Sequence, residues 1–462
     1  MKKLEDFKSI VDTNLNKLDM SEGSKERLRR SDHVKGRKRS KRWALAAVPA
    51  LAVLLAFLVF LSGVFSRKEA VTVLAKDLMS GIKAEPVKTV ALKEDFIQST
   101  ADFSLDLFKS SYKKGENSLI SPTSLYLALG MTANGASGNT LKQFEEVLSN
   151  RGLDIKELNN YYYSLAKSFT DVSSGDLKIA NSIWYGNNII DVKKSFLQNN
   201  ANYYSASAYK VDFADQATVE EINNWVKINT NNKIEKIIDK IEENEVMHLI
   251  NAVYFEDQWK VPYEKGDIQP EEFKLEDGSS KKVEYMNSTE NTFIKDDKAQ
   301  GFIKPYKSGK YSLMVILPNE GVSVDQYIDS LSGESFMDLI RNQSSEEVLV
   351  SLPKFKVEFS AELARSLEEI GLEDCFHEDK ANFSQMVELE GNNIYVEKIS
   401  HKTHINVDVF GTKAGATTDV QINIKSAPIR NQVFLDRPFI YAIVENESSL
   451  PVFIGTMMNP EI

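Results

Sequence analysis

Residues 43–64 read WALAAVPALAVLLAFLVFLSGV and carry no charged side chain. As a helix rising 1.5 Å per residue this run is ~33 Å long, enough to cross the hydrocarbon core of a bilayer. Pro49 lies near one end, where a membrane helix tolerates it. The preceding stretch Arg29–Arg42 holds eight Lys or Arg, whereas only Arg67 and Lys68 follow closely. The positive-inside rule therefore predicts a cytoplasmic tail over 1–42 and an external body after the run. A cleaved signal peptide is the competing reading. Its leading segment would be 42 residues long, and neither an A-x-A-like site nor a lipid-accepting Cys follows the run. A retained anchor is expected; a buried core helix fits the length and the flanking charge asymmetry poorly.

Charge divides at the same place. Residues 1–42 have a net charge of +7, residues 43–66 have none, and residues 67–462 carry −18. The tail also has a weak helical stripe at Leu4, Phe7, Val11, Leu15 and Leu18, which reads as a marginal helix. An acidic body argues against nucleic-acid binding, which needs a basic face. A hydrophobic content of 42% argues against wholesale disorder. The single cysteine, Cys375, excludes an internal disulfide and any metal site built on Cys pairs. Stability outside the cell must then come from a large core, which a body of this length can bury. The mixed-charge segment 65–92 is expected to be a juxtamembrane stalk, and 93–462 one domain, since no Pro/Gly/Ser-rich linker divides it.

Within 93–462 the pattern is α+β. A helical stripe of Phe96, Phe103, Leu107 and Phe108 opens the domain, and a second helical pattern covers Glu221–Asp239. Tyr311–Leu317, Glu347–Leu352 and Phe439–Val444 are apolar runs that predict strands of a large central sheet, buried on both faces. Helices come mainly first and strands mainly last, which favours α+β over repeated βαβ units.

Catalytic templates fail in turn. There is no G-x-S-x-G elbow, no phosphate-binding glycine loop and no H-E-x-x-H. His401 and His404 are three apart, so on a strand they point to opposite faces and cannot share a metal. Cys375 reads as a small buried residue rather than a nucleophile. Neither a cofactor nor a metal is expected.

One segment stands apart. From Thr412 to Lys425 the chain reads TKAGATTDVQINIK. Alternate positions give one small or apolar face (Thr412, Ala414, Ala416, Thr418, Val420, Ile422, Ile424) and one polar face. No Pro interrupts it before Pro428, so it is fit even for a central strand. Its first half is too small to hold a strand alone. It reads either as an ordinary amphipathic strand, or as a segment exposed in one state and inserted into a sheet in another.

Ordered motifs over 93–462 then resemble one family. They are Asn117–Ser124 (NSLISPTS), Gly135-Ala136 with Thr140-Leu141, Asn181 with Trp184, and Asn251–Phe255 with Trp259. Leu352–Phe355 (LPKF), His401 ten before Gly411, Phe434–Phe439 (FLDRPF), Phe453–Gly455 and Asn459-Pro460 complete the series. This body resembles a serpin. The resemblance implies a fold of three β-sheets, about nine helices and an exposed reactive-centre loop, here about 411–433. It implies a metastable inhibitor, not an enzyme, whose loop is cut by a serine protease and then inserts into the largest sheet. The acyl-enzyme is carried away and distorted before it can hydrolyse. The resemblance assigns the loop hinge to Gly411, Thr412, Ala414, Ala416 and Thr418. It assigns the residues gating the sheet to Ser121, Ser124, Asn251, Trp259 and His401.

Counting fourteen residues onward from Gly411 places the scissile bond at Lys425–Ser426 and implies a trypsin-like target. The other register cuts after Ala427, before Pro428, and implies an elastase-like one. One departure touches the hinge. Val409 and Phe410 precede Gly411 where the family has Glu two before the Gly, so the anchoring ion pair at the top of the sheet is missing from the sequence. Small hinge residues favour an inhibitor; Val409 and Phe410 keep a non-inhibitory binding module as the alternative. A membrane-tethered monomer is expected. The Lys-, Asn- and Ile-rich composition, with one anchor and no cysteine framework, points to a bacterial chain.

Overall fold

The computed structural model describes residues 75–170, 176–187, 191–242, 245–388, 393–412 and 431–460. The expected anchor over 43–64 lies outside these residues. Among the described residues no helix is long and apolar enough to cross a membrane.

The opening stripe folds as predicted. Helix α1 (Glu94–Ser111) starts with Glu94 and Asp95 in its first turn, favourable next to the helix N-terminus, and buries Phe96, Phe103, Leu107 and Phe108. Helix α2 (Pro122–Ala133) is capped by Ser121, whose side chain accepts from the Ser124 N–H, and has Pro122 at its first position. All of α2 is buried, so apolar residues surround it rather than forming one stripe. Nine α-helices occur among the described residues, most of them before residue 230.

The largest sheet has seven strands: β1 (Lys76–Asp77), β2 (Asp176–Gly186), β3 (Ser207–Val211), β4 (Met247–Gln258), β5 (Phe355–Glu362), β6 (Lys398–Val407) and β7 (Gly411–Thr412). Their spatial order is β1-β3-β2-β4-β6-β5, with β7 pairing the end of β4. At its centre β4 and β6 are parallel, in register from Lys398 opposite His248 to His404 opposite Tyr254. On β6 burial alternates strictly, with His401 buried and His404 on the outer face. His401 and His404 therefore point apart, as their spacing requires.

A six-stranded sheet contains Tyr311–Pro318, Phe439–Glu445 and Pro451–Met457, and a four-stranded sheet contains Val348–Pro353 and Asn431–Phe434. A two-stranded ladder joins Asp191–Val192 to Val387–Glu388. The three apolar runs are strands, but none belongs to the largest sheet. Tyr311–Pro318 and Phe439–Glu445 are buried at every position inside the six-stranded sheet. The seven-stranded sheet is instead built from more alternating sequences such as β6.

Two further expectations need correction. The second helical pattern ends early: helix α3 covers Gln216–Asn229. Asn231 and Asn232 take positive φ of 50° and 61°, which stops the helix, and Ile234 and Ile238 pack as irregular chain. The segment expected as a stalk over 65–92 belongs, from Ala75 onward, to the folded body. Lys76 and Asp77 add an edge strand to β3, and the Leu78 N–H donates to the Ala208 carbonyl. Glu85 and Val90 donate their N–H groups to Asn202 and Ser164.

Candidate functional site

Midway along the seven-stranded sheet, the capped start of α2 meets β4 and β6. The Ser124 hydroxyl donates to Asn251 Oδ1 at 2.9 Å, and the Ser121 backbone N–H donates to His401 Nε2 at 3.2 Å. Since Nε2 accepts, the His401 proton sits on Nδ1, which donates to Asn251 Oδ1. The Ser121 hydroxyl donates to the Val452 carbonyl of the six-stranded sheet at 2.8 Å. Asn251 Nδ2 donates to Asn181 Oδ1, and Asn181 Nδ2 returns to the Ser124 carbonyl at 3.3 Å. Burial pushes His401 down to about 3, so the ring is neutral and the network uncharged. Four of the gating residues named from sequence, Ser121, Ser124, Asn251 and His401, are thus one hydrogen-bonded cluster, and Asn181 joins it.

Trp259 is elsewhere. It follows the end of β4, eight residues beyond Asn251 and roughly 26 Å away at strand rise, beside the hinge. Its Nε1 donates to the Asp408 carbonyl at 2.8 Å, and its ring stacks on Tyr306 with centroids 4.6 Å apart. The Tyr306 hydroxyl lies 2.7 Å from that of Thr412. Gly411 opposes Gln258 and Thr412 opposes Asp257, antiparallel to β4. Thr412 is 1% exposed. Gly411 has φ +142°, and a Cβ there would lie 2.2 Å from the Asp257 carbonyl oxygen.

The missing anchoring ion pair has a replacement. Asp408–Gly411 is a tight turn: the Gly411 N–H donates to the Asp408 carbonyl, and the Phe410 N–H to Asp408 Oδ1 at 2.8 Å. The Phe410 carbonyl accepts from the Trp259 N–H at 2.8 Å, and the Val409 carbonyl from the Tyr263 N–H at 3.0 Å. Backbone bonds hold this turn, so the side chains at 409 and 410 need not be ionic. Nearby, Lys354 pairs with Glu284 at 2.7 Å.

Asp408, Tyr306 and Tyr263 were not singled out in the sequence. An Asp three before the hinge Gly is a turn signal that points to Asp408; nothing local marks the two tyrosines. Ala414, Ala416, Thr418, Lys425, Ser426 and Ala427 lie outside the described residues. Cys375 is buried, and that burial raises its thiol well above the ordinary range, unsuited to a nucleophile. Among the described residues no His, Cys, Asp and Glu cluster fits a metal ion.

Among the described residues, three larger sheets, a buried capped helix bonded to the centre of the largest of them, and a short strand at Gly411–Thr412 paired with the end of β4 define the architecture. The serpin (serine protease inhibitor) family profile matches residues 98–460. Intracellular coagulation inhibitor 2 of Tachypleus tridentatus is 30% identical over 377 residues, spanning 79% of this chain and 91% of that protein. Tengpin, a thermophilic serpin, matches in its native state with a TM-score of 0.80 at 46% identity, covering 83% of this chain and 99% of that one. Its latent state matches with a TM-score of 0.72 at 45% identity, over 81% of this chain and 100% of that one. The chain belongs to the serpin family, whose members are serine protease inhibitors and not enzymes.

Proposed function

We propose that this chain inhibits a trypsin-like serine protease by strand insertion, and does so as a monomer tethered outside a bacterial membrane by residues 43–64. The observation that carries the reading is the register of β7. Gly411 and Thr412 already begin an antiparallel strand on β4, at the mouth of the parallel β4–β6 pair. Continued without a bulge, that register sets Ala414, Ala416 and Thr418 opposite Phe255, Val253 and Asn251, whose side chains face the main core. The small hinge residues then meet the side of the sheet where α2 lies. Val420 and Ile422 fall opposite Leu249 and Met247, also core residues.

Strand length agrees with a cut after Lys425. β4 has 12 residues, and the same register exhausts it at Ile422 opposite Met247. A chain freed at Lys425–Ser426 covers the whole of β4. Insertion replaces one parallel ladder by two antiparallel ones, which are somewhat more stable per residue. Lys before the cut suits a protease whose specificity pocket holds a carboxylate. The backbone-anchored turn at Val409 and Phe410 supplies the hinge that the family's ion pair would otherwise hold.

Titration of trypsin with the full chain, followed by mass measurement of the released C-terminal peptide, tests this reading. Stoichiometric loss of protease activity and a peptide beginning at Ser426 are expected. Undiminished trypsin activity beside a cleanly cut chain would overturn it; a peptide beginning at Pro428 would move the target to the elastase class.

A further inference from the structure

At the end of the β4–β6 pair farthest from Gly411, a second set of side chains bridges the two strands. Glu245, just before β4, has a side chain with no solvent exposure. Its Oε2 accepts from His248 Nδ1 at 2.9 Å, and its Oε1 accepts from Lys398 Nζ at 2.5 Å and from the Glu242 N–H at 2.9 Å. His248 Nε2 lies 2.9 Å from the Ser400 hydroxyl. His248 is on β4, while Lys398 and Ser400 are on β6, so both links cross from one strand to the other. Burial opposes the Glu245 charge, but its three donors hold the carboxyl at about 2.

Lys398 opposite His248 is the first rung of this parallel ladder. The Asn251–His401 contact is three rungs above it, and the β7 turn sits at the other end. A strand entering from Gly411 parts the rungs in sequence and reaches His248 last. Parallel pairing is the weaker kind per residue, so side-chain bridges contribute proportionally more here.

We propose that Glu245, His248, Lys398 and Ser400 form a latch that closes the far end of the β4–β6 pair and sets how fast the sheet admits another strand. This rests on the strand-insertion reading above. These are positioning residues: they contact neither protease nor scissile bond. Loss of one hydrogen bond in the latch speeds entry about five-fold, because the closed sheet loses stabilisation that the parted sheet never had.

The test follows incorporation of a labelled synthetic peptide, with the sequence of residues 412–425, into the uncut full chain by fluorescence anisotropy. Ser400→Ala removes one bond and keeps the Glu245–His248 pair. Lys398→Met removes the ion pair from a side chain that is 30% exposed. Ser312→Ala is the control, since it deletes a comparable bond, to Asn446 at 2.8 Å, within the six-stranded sheet. Faster incorporation in Ser400→Ala and Lys398→Met, with Ser312→Ala at the parent rate, is expected. Equal rates in all chains, or equal acceleration by Ser312→Ala, would overturn the latch and leave strand insertion standing. No incorporation in any chain would overturn strand insertion itself, and the latch with it.

Discussion

His401 Nε2 accepts the backbone N–H of Ser121 across 3.2 Å, tying the central strand β6 to the cap of the buried helix α2. This bond exists only while the ring is neutral. Burial holds His401 at about 3, against an ordinary value of 6.5. The folded chain therefore binds fewer protons than the unfolded chain between those two values, and stability falls as pH drops from about 6.5 towards 3. The loss is ~2 kcal/mol by pH 5. Denaturant unfolding from pH 7.5 to pH 4.5 should show this slope, and His401→Gln should flatten it.

Gly411 sits where no side chain fits. Its φ of +142° and the approach of the Asp257 carbonyl leave no space for a Cβ. Gly411→Ala is expected to cost at least ~2 kcal/mol of native stability. It should also push the hinge off β4, breaking the Tyr306–Thr412 contact. Thermal unfolding checks the first effect. The second should appear as faster proteolysis within residues 408–412, a segment that the Trp259 and Tyr263 N–H groups now hold.

Cutting and inhibiting should separate by position along the loop. Ala416→Glu places a charge opposite Val253 on the core side of the sheet once the strand enters, without adding a site for trypsin. Trypsin should cut that variant at the parent rate yet lose little activity, so the inhibitor becomes a substrate. Lys425→Ala should abolish both, leaving trypsin neither inhibited nor supplied with a cut at that bond. Paired measurement of cleavage rate and residual trypsin activity distinguishes the two.

Legibility differed with the kind of information needed. Ser121, Ser124, Asn251 and His401 were readable because each lies in a short motif, and the fold brings all four together. The α1 stripe was readable because helical spacing is local. The Glu245–His248–Lys398–Ser400 group was not. It depends on a parallel register between strands 150 residues apart, which no local pattern encodes. The fully buried strands Tyr311–Pro318 and Phe439–Glu445 point by sequence to the largest sheet, because long apolar runs fit the centre of a fold. The largest sheet has instead a helix-covered outer face and keeps polar residues on β6. Residues 75–92 looked like a stalk because their mixed charge hides an edge strand only two residues long.

The central claim is that a cut loop enters between β4 and β6. Thermal unfolding of the full chain before and after cleavage at Lys425 measures this most directly. Burial of Val420, Ile422 and Ile424 at ~2 kcal/mol each, with two new antiparallel ladders, predicts a rise on the order of ten degrees. An unchanged or lowered transition in the cleaved chain would contradict insertion.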